Sequence, residues 1–241
     1  MKILAIDTSN HPMTVAVVEN KQLLATVTLN MVRNHSIYLM PAIDRLCELV
    51  KWQPADIDRI VVAQGPGSYT GIRIAVSTAK VLADTLNKDV VGVSSLAVLA
   101  RNVVPIVKQV IVPFFDARRG NVFVGAYRWE NGELTNLIPD QHLAMKDLLA
   151  QLEELKQPIL LVGQITDKLQ QQMTELPENI KLAPEEYAIP SSYQLALAGE
   201  NKKAVSDIDG MIPHYLRITE AEANWKKLHP GEDRDNYVRE V

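Results

Sequence analysis

The residues with the clearest potential for chemistry form a glycine-rich run between an apolar segment and a helical pattern, Gln64-Gly65-Pro66-Gly67-Ser68-Tyr69-Thr70-Gly71-Ile72-Arg73. Backbone N–H groups at such a strand-to-helix turn can bind an anion. The run lacks the lysine of a Walker loop, and its third glycine comes one place late for a dinucleotide fingerprint. The alternative is a tight turn in which Gly65 and Gly67 adopt positive φ and Ser68 or Thr70 caps the helix.

The histidines and the cysteine offer no metal site and no activated nucleophile. The five histidines show no ligand spacing to each other: His11, His35, His142, His214 and His229. Cys47, the sole cysteine, lies within an apolar helical pattern instead of an electropositive pocket. A peptidase would need a metal or a nucleophile–base pair, so the sequence disfavours that class.

The charge pattern argues against strong direct binding of nucleic acid. The formal net charge is −4, and the densest basic cluster is only Arg118-Arg119. A protein that grips RNA by itself normally has a basic patch. We therefore expect no direct strong binding to tRNA.

Residue usage predicts a soluble, cytoplasmic protein. Cys47 has no partner for an internal disulfide, which suits a reducing compartment. The chain reaches Asp7 after only four apolar residues, too few for a signal-peptide core. The uncharged run Val90 to Ala100 is far shorter than the roughly 20 residues that cross a bilayer.

Hydrophobic periodicity predicts two similar α/β halves with flanking helices. The first half begins with a three-stranded meander and continues as helix, strand, helix and strand. The second half begins again with strand, polar turn and strand. Asp7 closes the first strand of one half, and Asp116 closes the first strand of the other. We expect halves over residues 1–108 and 109–217, a late helix near 191–205 that packs back on the first half, and a polar tail over 218–241.

Several motifs together resemble the TsaB (YeaZ) family. The glycine-rich run matches its signature, and further matches follow in order along about residues 1–217. These are Ile6-Asp7-Thr8-Ser9, His35-Ser36 with Leu39 and Pro41, Asp116-Ala117-Arg118-Arg119-Gly120, and Pro213 with Tyr215, Leu216 and Arg217.

The resemblance implies a duplicated actin/Hsp70/sugar-kinase-like (RNase H-like) fold and a non-catalytic scaffold subunit. Such a subunit binds a TsaD-type catalytic paralogue and supports threonylcarbamoyl transfer to adenosine 37 of tRNAs that read codons beginning with A. The resemblance also implies a TsaE-like ATPase in a ternary complex and a homodimer when the chain is alone. The alternative is an ATP-dependent kinase or ATPase of the same fold.

The resemblance also bears on catalysis and cofactors. Catalytic TsaD relatives carry two metal-binding histidines four residues apart, where this chain has Ser95 and Leu99. In this fold class, the acids that close the first strand of each half commonly orient a magnesium–phosphate group, and Asp7 and Asp116 occupy those places. Arg118-Arg119 replaces the small residues that such a turn needs, so we expect no cofactor, and both acids are vestigial candidates that could instead cap turns.

Excess apolar surface on two helices predicts a docking face. Residues 36–52 carry an apolar arc of about 200°, wider than one core contact requires. A second apolar stripe on the helix near residues 70–86 is separate from its core stripe. The predicted interface set is Met40, Ile43, Cys47, Ile74, Thr78 and Val81. The alternative is that the chain covers these residues itself.

Overall fold

The first half is a five-stranded mixed sheet in the order β3-β2-β1-β4-β5. The computed structural model describes residues 1–30, 34–106, 108–173, 176–217 and 225. β2 pairs antiparallel with β1 and β3, whereas β1, β4 and β5 are parallel. The elements are β1 Lys2–Asp7, β2 Pro12–Glu19, β3 Gln22–Asn30, α1 His35–Leu49, β4 Arg59–Gly65, α2 Tyr69–Leu86, β5 Asp89–Ser94 and α3 Ser95–Ala100, with a 3₁₀ turn Pro54–Asp56 before β4.

The second half repeats this connectivity in the order β10-β9-β6-β7-β8. β6, β7 and β8 form an antiparallel meander, and β6, β9 and β10 are parallel. The elements are β6 Val110–Asp116, β7 Asn121–Glu130, β8 Glu133–Ala144, α4 Met145–Glu154, β9 Ile159–Val162, α5 Asp167–Gln170, β10 Ile180–Leu182 and α6 Ser192–Gly199, with a 3₁₀ turn Glu185–Ala188 before α6.

Each meander contains a two-residue hairpin whose turn residues both have positive φ. Asn20 and Lys21 have φ of 49° and 68°, and Asn131 and Gly132 have φ of 52° and 83°. Two consecutive positive φ values match the right-handed twist of the flanking strands. The same turn recurs at the same place in both halves, which agrees with a duplicated unit. The predicted fold class, two mixed-sheet halves with flanking helices, is confirmed.

Strand alternation places apolar side chains on both faces of the first sheet, so both faces are covered by helices. Leu4 and Ile6 of β1 pack with α1 and α2 in one cluster. Ile3 and Ala5 pack in a second cluster with Val98 of α3 and Leu195 of α6. Helix α6 therefore lies on the first sheet although it follows the strands of the second.

Helix α3 has the second sheet on its other side. Leu96, Leu99 and Ala100 belong to a cluster with Ile111 of β6 and other residues of the second half. The opposite face of the second sheet carries α4, with Met145, Leu148 and Leu152 buried against it. Among the described residues, no helix has both the length and the apolar character to cross a bilayer. The polar tail expected over 218–241 lies outside the described residues, apart from Trp225.

Candidate functional site

The glycine-rich run spans the end of β4 and the start of α2, and it packs directly on the turn that follows β1. The amide of Ser68 donates to the carbonyl oxygen of Ser9 at 2.7 Å. A Cβ on Gly67 would lie 2.1 Å from the same oxygen, so a side chain has no room there. Ser68 caps α2, with its Oγ accepting from the Gly71 amide. These contacts use amide groups that an anion-binding loop would leave free.

The structure shows that Gly67 is required in this turn for a different reason from the one expected. Gly65 has the expected positive φ of 111°, but Gly67 is not among the residues with positive φ. The approach of the Ser9 carbonyl excludes a side chain at Gly67, which is a packing constraint between distant parts of the chain. The cap is Ser68, and Thr70 lies within α2.

Asp7 is fully buried at the end of β1. Its Oδ1 accepts a 2.8 Å hydrogen bond from the Ser9 amide, whereas Oδ2 is buried without a hydrogen-bond partner. Burial raises the pKa of the Asp7 carboxyl, although hydrogen bonds from Ser9 and the nearby His35 oppose this shift. The environment favours the neutral acid, while a magnesium ligand must be ionised.

Asp116 lies in the equivalent place of the second half but is exposed. Its Oδ1 accepts from the Arg118 amide at 2.7 Å, and its Oδ2 accepts from Thr166 Oγ1 at 2.9 Å. Arg118 and Arg119 both have positive φ, at 68° and 56°. The carboxylate therefore fastens a tight turn to the loop after β9.

Ser95 and Leu99 are part of the protein core. Both are 0% exposed. Ser95 Oγ accepts a hydrogen bond from the Gly65 amide at 3.1 Å, and Leu99 packs in the cluster between α3 and the second sheet. Within the part of the chain that the structure describes, no three His, Cys, Asp or Glu side chains come together as a metal site.

The six residues of the predicted docking face differ in exposure. Met40 and Val81 are 47% and 64% exposed, and Ile74 and Thr78 are partly buried. Ile43 and Cys47 are only 5% and 9% exposed and belong to the core of the first half. The free chain therefore does not present these two residues on its surface. The apolar arc of α1 is wide because it packs on the sheet and on buried Trp52 of the same cluster.

A groove between α1 and α2 brings three of the predicted residues together. It has a volume of about 320 Å³ and is lined by Ser36, Leu39, Met40, Arg73, Ile74, Ser77 and Thr78. Ile37, 62% exposed, lies one turn before Met40 on α1. Val81 lies one turn beyond Thr78 on α2. We call the residues Ile37, Met40, Ile74, Thr78 and Val81 the helix-pair face.

Contacts between the two halves were not foreseen from the sequence. Asp140 of β8 accepts hydrogen bonds from Ser94 Oγ and from Tyr127 Oη, both at 2.5 Å. Ser94 ends β5 of the first sheet, whereas Tyr127 lies in β7 of the second. The three residues are up to 46 positions apart, and no local motif links them.

Comparisons with known proteins agree with this architecture. A family model described as TsaD, tRNA N6-adenosine threonylcarbamoyltransferase, matches residues 22–225. The "tRNA threonylcarbamoyladenosine biosynthesis protein TsaB" of Bacillus subtilis is 41% identical over 93% of this chain and 98% of its own length. The protein of the same name from Escherichia coli is 31% identical over 55% of this chain and 58% of its own length.

Solved structures agree with the sequence comparisons. A Pseudomonas aeruginosa protein, described as uncharacterized with similarity to peptidase YEAZ, has a TM-score of 0.75 at 25% identity, over 90% of this chain and 99% of its own. YeaZ from Pseudomonas aeruginosa has a TM-score of 0.71 at 24% identity, over 89% of this chain and 99% of its own. The chain therefore belongs to the TsaB (YeaZ) family, within the wider group of sequences that the TsaD family model describes.

Proposed function

We propose that this chain works in tRNA threonylcarbamoyladenosine biosynthesis in the cytoplasm, as a non-catalytic subunit that docks a TsaD-type catalytic partner. The names of the relatives support the pathway. The observation that carries the docking role is the helix-pair face, an apolar stripe that crosses from α1 to α2 beside a groove.

The stripe has the form of an interface core. Ile37, Met40 and Val81 are large apolar side chains, each close to half exposed or more. Apolar side chains on two neighbouring helices, with polar groups such as Arg73 and Ser77 around the groove, resemble the apolar centre and polar rim of a protein interface. A partner that covers this stripe would stabilise the complex mainly by burial of apolar area.

Loss of catalytic features supports a non-catalytic role. The Ser68 amide of the glycine-rich turn is engaged with the chain itself, and Asp7 is enclosed. Ser95 and Leu99 serve the core at the positions where the catalytic relatives carry metal-binding histidines. A TsaD-type partner would supply the missing chemistry.

The partner set follows from the same reasoning. Similarity of this chain to the TsaD family model makes a TsaD-type paralogue the natural occupant, because related helix pairs can pack face to face. A second copy of this chain would use the same face when the partner is absent. A TsaE-like ATPase would join the assembled pair as a third component.

The decisive experiment places a charge in the helix-pair face. Val81→Glu would bury an unpaired carboxylate in the complex, at a cost of several kcal/mol, while Val81 is mostly exposed in the free chain. We expect an unchanged melting temperature, a monomer by analytical ultracentrifugation, and capture of the TsaD subunit weakened by at least about 100-fold. Ile74→Glu tests the partly buried centre of the same face.

Val104→Glu is the matched control. Val104 is also 64% exposed, has the same side chain, and lies in the connection before β6. The Val104→Glu variant should dimerise and bind the TsaD subunit as the parent chain does. Normal partner binding by Val81→Glu would refute the proposed face, and equal losses in both variants would point to a nonspecific effect of charge.

The alternative activity, an ATP-dependent kinase or ATPase, has a direct test. Calorimetric titration with Mg-ATP should give no saturable heat, because the turn amide of Ser68 and the Asp7 carboxyl are engaged or enclosed. Micromolar binding, with turnover that Asp7→Asn abolishes, would favour the alternative.

A further inference from the structure

The segment 211–217, which we call the strap, runs along the end of the first sheet beyond β4. Gln64 Nε2 donates to the carbonyl oxygen of Ile212 at 2.6 Å, and the His214 amide donates to the carbonyl oxygen of Gln64 at 2.8 Å. Gly65 allows this approach, because a Cβ there would lie 2.7 Å from the His214 oxygen. The strap is thus bonded to the carboxyl end of a central strand.

The strap then reaches the second half. Tyr215 stacks on Tyr69, the first residue of α2, with ring centroids 4.7 Å apart. Arg217 Nη1 donates to the carbonyl oxygen of Ala117 at 2.9 Å. Ala117 directly follows β6, so the strap joins the carboxyl ends of β4 and β6. In open α/β sheets that end is the usual place for a ligand.

A second connection joins the halves at Asp140. Its carboxylate accepts hydrogen bonds from Ser94, the N-cap of α3, and from Tyr127 of β7. Gly125 makes room for this arrangement, since a Cβ there would lie 2.3 Å from Asp140 Oδ1. We call Ser94, Tyr127 and Asp140 the latch.

Helix α3 adds an apolar contact to these polar ones. Val98 packs on the first sheet, while Leu96 and Leu99 pack with the second. Two domains joined by one chain normally move relative to each other unless their interface is extensive and apolar. Here the strap restrains the halves at one place, and the latch together with the adjacent α3 restrains them at another.

We propose that the strap and the latch fix the angle between the two halves, so that the chain is a single-state platform instead of a hinged pair of lobes. The strap takes the position at the strand ends where a ligand would otherwise bridge the sheets. This inference concerns the chain by itself and does not depend on the identity of its partner.

The test measures the distance between the halves by pulsed electron resonance. Spin labels are placed on two exposed helical positions, Glu48→Cys on α1 and Glu153→Cys on α4, in a Cys47→Ala background. Labelled chains are diluted with unlabelled ones so that only distances within one chain are recorded. We expect one narrow distance population that Mg-ATP does not change.

Removal of the restraints should loosen the halves. Combining Tyr215→Ala and Arg217→Ala with Asp140→Ala should about double the width of the distance distribution. Asp140→Asn in place of Asp140→Ala, in the same combination, restores an acceptor and should narrow the distance distribution again. Arg128→Ala, which removes the 2.6 Å Arg128–Glu130 ion pair within β7, is the matched control and should leave the width unchanged.

Two results would overturn the proposal. One is a broad or two-state distribution in the parent chain, and the other is a folded triple variant that stays as narrow as the parent. If the triple variant fails to fold, hydrogen exchange of the parent decides: the His214 amide should exchange as slowly as amides of β4. Rapid exchange there would mean that the strap opens, while the docking proposal would be unaffected.

Discussion

The hydroxyl of Thr8 donates a 2.7 Å hydrogen bond to the carbonyl oxygen of Gly71, across 63 residues of sequence. Both residues are buried, and Gly71 lies in the first turn of α2. The bond fixes the start of α2 against the turn after β1. Because α2 carries Ile74 and Val81, the glycine-rich turn sets the position of the helix-pair face.

Gly71→Ala should therefore destabilise the protein. A Cβ at Gly71 would lie 2.1 Å from the Thr8 carbonyl oxygen, although alanine is about 1 kcal/mol better than glycine within a helix. We expect a net loss of about 2 kcal/mol in the free energy of unfolding, measured with urea. Gly132→Ala is the comparison: it has φ of +83° and no neighbour within 4 Å, so it should lose only about 1 kcal/mol. A Gly71→Ala variant as stable as the parent would contradict the close packing.

Asp7→Asn should become more stable relative to the parent as the pH rises. Burial raises the pKa of Asp7 in the folded state, so its favourable contribution is complete below the unfolded pKa of about 3.9. That contribution is lost as the pH increases through the raised folded pKa. Asparagine keeps an acceptor for the Ser9 amide and does not ionise. Unfolding free energies at pH 4 to 8 give the test; a difference that does not change with pH would exclude a raised pKa.

The local sequence pattern was sufficient to predict the elements that begin each half. Asp7 and Asp116 mark the ends of β1 and β6, and the glycine-rich run lies between β4 and α2 as predicted. The latch could not be predicted, because Ser94 and Asp140 lie in different sheets and are 46 positions apart in the sequence. Gly67 is required by the carbonyl of Ser9, which is distant in sequence. A helical projection also could not separate Ile43 from Met40, since it does not show where the sheet lies under α1.

Ile43 and Met40 should behave differently on truncation. Ile43 is 5% exposed within the first-half core, so Ile43→Ala should lower the free energy of unfolding by about 3 kcal/mol. Met40 is 47% exposed, so Met40→Ala should change it by less than about 0.5 kcal/mol. Met40→Ala should weaken binding to the TsaD subunit. Equal stability losses in both variants would place Met40 in the core as well.

Cys47 should be nearly inert to thiol reagents in the folded protein. Burial, and then the charge of Asp44, raise the pKa of the Cys47 thiol. The reactive species is the thiolate, so both access and ionisation are reduced. Reaction with a chromogenic disulfide at pH 8 should be at least about 100-fold slower than in urea, where the single thiol should titrate completely.

The same reaction separates a core role from a role in the partner interface. Because Cys47 belongs to the core, its protection depends on the stability of the first half. Ile43→Ala should then accelerate the reaction, because it lowers the free energy of the opening that exposes the thiol. Addition of the TsaD subunit to the parent should change the rate only as far as it stabilises the fold. Fast labelling of the free parent chain, abolished by the partner, would instead place Cys47 on the docking surface.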